Sequence, residues 1–87
     1  MSVTSAENLD EVRDLLVTTL GIEDRAGSLT ASSPLLDGLP ELDSMAVLEI
    51  VAGLEERFGI VVDDDEVTAE LFETLGSLAE FVQVKRA

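Results

Sequence analysis

The chain is 87 residues long and 46% hydrophobic, and it carries 19 acidic against 5 basic residues, a formal net charge of −14. A chain of that size has room for one domain around one core. Its charge excludes a nucleic-acid binder, which needs Lys and Arg against phosphates, and an anionic-membrane binder for the same reason; the field suits a basic protein surface instead.

Absences narrow the field further. Without Cys there is neither a disulfide framework nor a thiolate metal site, and without His the commonest general base and metal ligand is missing. Met1 to Glu7 hold neither the basic nor the apolar stretch of a secretory signal, and no apolar run approaches the ~20 residues of a membrane span, so a cytoplasmic protein is expected. Phe58, Phe72 and Phe81 are the only aromatic residues. The core must therefore be Leu, Val and Ile.

Thr4-Ser5-Ala6-Glu7 has the spacing of a capping box. Leu9, Val12, Leu16 and Leu20 follow at helical offsets, with Leu15 beside them, predicting a helix over about 5–20 that Gly21 ends. Residues 21–42 hold Gly27, Pro34, Gly38 and Pro40 and no period, so they read as a long loop, which Leu29, Leu35, Leu36 and Leu39 can pin. A second helix is predicted over about 44–58, closed by Gly59. Ile60-Val61-Val62 has no second strand to pair with and reads as an extended connector that buries its side chains. Asp63 to Glu66 repeats the capping-box spacing and predicts a short helix over about 64–71. Thr74 caps a last helix over about 75–84, with Leu75, Leu78, Phe81 and Val82 inward and Lys85 and Arg86 suiting its C-terminal dipole. The sum is an all-α four-helix bundle, three helices longer and one short, with a long first loop.

The second helix carries most information. Val47, Ile50, Val51, Leu54 and Phe58 fall within about 100° of arc and form its core face. Opposite lie Met45, Glu49, Ala52 and Glu56, flanked by Leu48 and Glu55. Carboxylates around small and apolar side chains suit docking to a basic groove, although acids on a helix exterior are also commonly just solvated. The stripe begins beside Ser44, at a helix start where unpaired N–H groups and the dipole favour an anion. A serine there can be a plain cap or a hydroxyl meant to carry a phosphate.

From Leu42 to Val82 the sequence resembles the acyl carrier proteins, small acidic bundles whose serine carries 4′-phosphopantetheine. The family's Asp-Ser-Leu appears as Asp43-Ser44-Met45, the acid five residues past the serine as Glu49, the Glu pair as Glu55-Glu56, and the following Phe-Gly as Phe58-Gly59. Ile60 to Glu66 and Thr74-Leu75-Gly76-Ser77-Leu78 match the family's connector and last-helix opening, and the first helix agrees in position. There are departures: Glu41 stands where Gly is common, Met45 replaces Leu, Ala46 stands where fatty-acid carriers often have an acid, and the segment Leu36 to Glu41 is long. The stretch Leu39 to Val47, with Phe72-Glu73-Thr74-Leu75-Gly76-Ser77-Leu78, looks more like the carriers of exosortase and exopolysaccharide systems, which implies an adenylate-forming acyl ligase as a partner.

The resemblance implies that Ser44 accepts 4′-phosphopantetheine from coenzyme A through a phosphopantetheinyl transferase. Asp43 would position the transferase and its metal, and Met45, Leu48, Glu49, Ala52, Glu55 and Glu56 would form the docking face for acyl-handling enzymes. It implies a carrier and no enzyme: a monomer without a resident metal, whose thiol comes from the arm, with an acyl thioester tucked between helices. Alternatives are a peptidyl or aminoacyl carrier of the same fold and an acidic interaction module, inhibitor or nucleic-acid mimic without a prosthetic group. A calcium module at Asp63-Asp64-Asp65-Glu66 lacks the alternating ligands of an EF-hand loop. A two-carboxylate enzyme has its acids on exposed faces, with no pocket implied.

Overall fold

The computed structural model describes residues 6–86. Among these residues three α-helices, α1 (Ala6–Leu20), α2 (Ser44–Phe58) and α3 (Leu75–Arg86), enclose one core, with 3-10 turns at Glu23–Ser28 and Asp64–Glu66. Among the described residues there is no strand, only an isolated antiparallel bridge between Pro34 and Thr74. The all-α bundle expected from the sequence is the fold observed.

Val12 and Leu16 of α1 are fully buried, Leu9, Leu15 and Leu20 pack partly against the core, and Val17 joins them. Gly21 ends α1 at φ 69. Its N–H donates to the Thr18 carbonyl at 3.3 Å and that of Ile22 to Val17 at 2.9 Å, the paired bonds of a Schellman motif, which an L side chain at position 21 would strain. The capping box expected at Thr4 lies outside the described residues. Asn8, one turn before Val12 on the same face of α1, is 3% exposed. Its amide donates to the Ala79 carbonyl at 2.7 Å and its carbonyl accepts from Arg86 at 2.9 Å, so it ties α1 to α3.

The long first loop is pinned by Leu35 and Leu39, both buried, and by Leu29, half-buried. Leu36 is not a pin: it stays 41% exposed. The other restraint is backbone pairing, which carries no apolar signature in sequence. Leu35, Leu36, Leu75 and Gly76 donate respectively to Glu73, Phe72, Ser33 and Ala31 at 2.7–3.2 Å, lacing the loop to the approach of α3. Gly76 is needed there, since a Cβ would stand 2.7 Å from the Ala31 carbonyl oxygen.

In α2 the buried arc runs through Ala46, Ile50 and Leu54, while Val47, Val51 and Phe58 are half-buried. At 100° per residue this centre line lies about 50° from the predicted one, turned toward Ala46. The cause is bulk. Gly53 lies on that side, where a Cβ would stand 3.1 Å from Leu15 Cδ1, so α1 seats close against the bare side of α2 and Val47 is rolled outward. Gly59, at φ 65, closes the helix with its N–H on the Glu55 carbonyl at 2.9 Å.

The connector alternates instead of burying every side chain: Ile60 and Val62 are buried and Val61 is 71% exposed, as extended backbone requires. The short helix expected over 64–71 is only the single turn Asp64–Glu66. Val67 turns extended at ψ 91, and both the carbonyl and the hydroxyl of Thr68 accept the Leu71 N–H, which offers the chain a local turn in place of a helix. Glu66 accepts from the Asp63 N–H at 2.9 Å and pairs with Lys85 at 2.8 Å, fixing the turn to α3. Thr74 caps α3 through its hydroxyl on the Ser77 N–H at 3.0 Å, and Leu75, Leu78, Ala79 and Val82 are fully buried beneath.

Candidate functional site

Ser44 is the first residue of α2, and it is not the cap. Asp43 is: in extended conformation (φ −100, ψ −176), its Oδ1 accepts the Ala46 N–H at 2.8 Å and its carbonyl accepts the Val47 N–H at 2.9 Å. With a neighbour meeting that need, the Ser44 hydroxyl is exposed and, among the described residues, bonded to no protein group. The N–H groups of Ser44 and Met45 likewise have no acceptor among them. A free hydroxyl, two free amides and the positive end of a four-turn helix form a site suited to a phosphodiester.

The approach to Ser44 is held from behind. Leu42, just before the cap, is buried, and its N–H donates to the Leu39 carbonyl at 3.0 Å. Glu41 forms an ion pair with Arg25 from the 3-10 turn Glu23–Ser28. Its own backbone N–H, and then the Arg25 guanidinium, hold its carboxyl below the usual glutamate range. The Glu that departs from the family's common Gly thus tethers the loop.

Beside Ser44 opens an apolar cleft of about 460 Å³ between α2 and the 67–72 segment, walled by Leu36, Val47, Leu48, Val67, Ala69 and Phe72. Leu36 is exposed because it forms one side of this cleft, and the outward roll of α2 brings Val47 into another. Ser44 and Thr68 are its polar members. The sequence reasoning missed the cleft: three separated segments line it, and none carries a local signal for it.

On the outer side of α2, Met45 and Leu48 are 68% and 67% exposed, and Glu49, Ala52 and Glu56 are exposed beside them. Glu55 differs. It is half-buried, and its Oε2 accepts the Val62 N–H at 2.9 Å, holding the connector against α2. Ala46 faces inward and is no part of the stripe. Arg13, Arg25, Lys85 and Arg86 each pair with a carboxylate, so Arg57, over the Phe58 ring at the end of α2, is the one cation in no ion pair among the described residues. Among those residues no group of three or more acids stands close enough to hold a metal ion, and no helix is long and apolar enough to cross a membrane.

Comparison with known proteins agrees with this geometry. Residues 10–82 match the phosphopantetheine-binding family, described as the phosphopantetheine attachment site. The chain is similar to a holo acyl carrier protein of Nitrosomonas europaea whose structure was determined by solution NMR. The two are 53% identical over 91% of this chain and 95% of that one, with a TM-score of 0.85. A capped helix that leaves its first serine free, in a bundle of this topology and with this match, makes the chain a member of the phosphopantetheine-binding acyl carrier protein family.

Proposed function

We propose that Ser44 Oγ is the attachment atom for the 4′-phosphopantetheine arm of this carrier. The observation that carries the reading is the division of labour at the head of α2: Asp43 caps the helix, and the Ser44 hydroxyl is exposed and bonded to none of the described residues. Attachment by a phosphopantetheinyl transferase forms an O–P bond at Oγ, breaks the pyrophosphate of coenzyme A and releases the hydroxyl proton. The free amides of Ser44 and Met45 and the helix dipole then face the new phosphodiester anion. The bound arm supplies the thiol that the chain lacks, on which an acyl group rides as a thioester. The chain catalyses nothing; it orients and presents.

The second carboxylate oxygen of Asp43 has no partner among the described residues, which supports a role for Asp43 in positioning the transferase and its metal. Met45, Leu48, Glu49, Ala52 and Glu56 support a docking face for basic partner enzymes, with Glu55 contributing mainly charge since one oxygen is engaged. The apolar cleft supports shelter for an acyl chain. Net charge of −14 supports a monomer. Glu41, Met45 and the long Leu36 to Glu41 segment support acyl ligases of exosortase or exopolysaccharide systems as the loading enzymes, and the 53% identity to an acyl carrier supports an acyl over an aminoacyl cargo.

Intact mass after incubation with coenzyme A, Mg²⁺ and a broad-specificity phosphopantetheinyl transferase tests the reading. One added phosphopantetheinyl group is expected, absent in Ser44→Ala. An unmodified wild type beside a working control carrier would overturn it.

A further inference from the structure

A second apolar groove, of about 390 Å³, lies between the 66–71 segment and α3. Leu71, Phe81 and Val84 form its floor and Glu66, Glu70 and Glu80 its rim. Val84 is 62% exposed, a bulky apolar side chain held in water on an acidic domain. Lys85 lies 2.8 Å from Glu66 and 5.5 Å from the Phe81 ring centroid, so it neutralises that one carboxylate. Glu70 and Glu80 are exposed and form no ion pair with any described residue. The floor favours an apolar occupant, and the rim selects its charge. A second copy would bring acidic rim to acidic rim, each chain at −14, and an anionic bilayer would be repelled likewise.

We infer that this groove docks an amphipathic helix of a partner protein, its apolar side chains on Leu71, Phe81 and Val84 and its flanking Lys or Arg residues against Glu70 and Glu80. The site is distinct from the Ser44 end of α2, with Thr68 the one described residue lining both the groove and the cleft. A partner held here leaves Ser44 and the outer stripe of α2 open to a second protein. The groove does not depend on any group attached at Ser44.

The test is an NMR titration of the isotopically labelled full chain with a synthetic helix-forming Leu/Lys peptide, leucines on one face and lysines beside them, at physiological salt. Shifts should centre on Thr68, Leu71, Ser77, Phe81 and Val84. Val84→Lys and Glu80→Lys, both at exposed helix positions, should each weaken binding about tenfold. Asp24→Lys makes the same charge change at an exposed position of the Glu23–Ser28 turn, outside both linings, and should leave affinity within about threefold; the titrated chain carries no group at Ser44, so the result is separate from the attachment reading. No measurable binding, shifts centred on α2, or equal weakening by Asp24→Lys and Glu80→Lys would each overturn the inference, as would self-association of the chain through Val84.

Discussion

Asp43→Ala and Ser44→Ala remove neighbouring polar groups, yet they should have opposite consequences for folding. Asp43 supplies the acceptor for the Ala46 N–H at 2.8 Å. Losing an N-cap costs about 1 kcal/mol, and losing a carboxylate at a helix N-terminus adds about 0.3–1 kcal/mol. A total of about 1.5 kcal/mol should lower the melting temperature of a domain this size by about 6–12 °C and the urea midpoint by about 1 M. Asp43→Asn keeps the acceptor and loses only the charge, so about 0.5 kcal/mol is expected. Ser44→Ala deletes a hydroxyl with no protein partner from the first helical position and puts a better helix former there, so stability should hold or rise by a few tenths of a kcal/mol. Urea denaturation of the four unmodified proteins, followed by far-UV circular dichroism, makes the comparison. A Ser44→Ala loss as large as that of Asp43→Ala would mean that the hydroxyl caps the helix, and the division of labour would be refuted.

Asn8→Ala removes the α1–α3 tie from a site 3% exposed and should cost about 2 kcal/mol in the same denaturation assay, discounted for the exposed Arg86. Glu55→Ala should destabilise by about 1 kcal/mol through the lost Val62 N–H bond, with faster amide hydrogen exchange at Val62, while Glu49→Ala and Glu56→Ala stay within about 0.5 kcal/mol. The Glu66–Lys85 pair should make stability pH-dependent. The Lys85 hydrogen bond, then the Asp63 N–H, lowers the Glu66 carboxyl from 4.5, so its contribution is present above that value and lost as pH falls through the lower folded one. Glu66 raises Lys85 from 10.5, so that contribution is full below 10.5 and lost as pH rises through the higher folded value. The stability gap between wild type and Lys85→Met should therefore be widest between those limits and close at both ends, and shrink with added salt. A gap that grows on acidification would contradict the pairing.

The three long helices were legible because Leu and Val at 3.6-residue spacing, with Gly21 and Gly59 at the ends, carry local signals that burial and the left-handed region enforce. What was not legible depended on partners distant in sequence. Leu36 has the look of a core residue, and only the approach of the 67–72 segment makes it a cleft wall. Asn8 carries no apolar signal, and its burial depends on Ala79 and Arg86 of α3, which satisfy its amide. The turn centre of α2 was displaced because Gly53, silent in a hydrophobic count, lets Leu15 in. Capping-box spacing at Asp63 was real but short-lived, since Thr68 competes for the backbone a few residues on. The Asp43–Ser44 pair marks the head of α2 in the sequence, while which residue caps and which stays exposed depends on the extended backbone at Asp43.

The central claim is that Ser44 is free to accept the arm because Asp43 has taken the structural role. Fragment mass spectrometry of the transferase-treated wild type tests it most directly. The account predicts the phosphopantetheinyl group on Ser44 alone, with the loop hydroxyls of Ser28, Thr30, Ser32 and Ser33 unmodified. Modification at any of those positions with Ser44 untouched would contradict it.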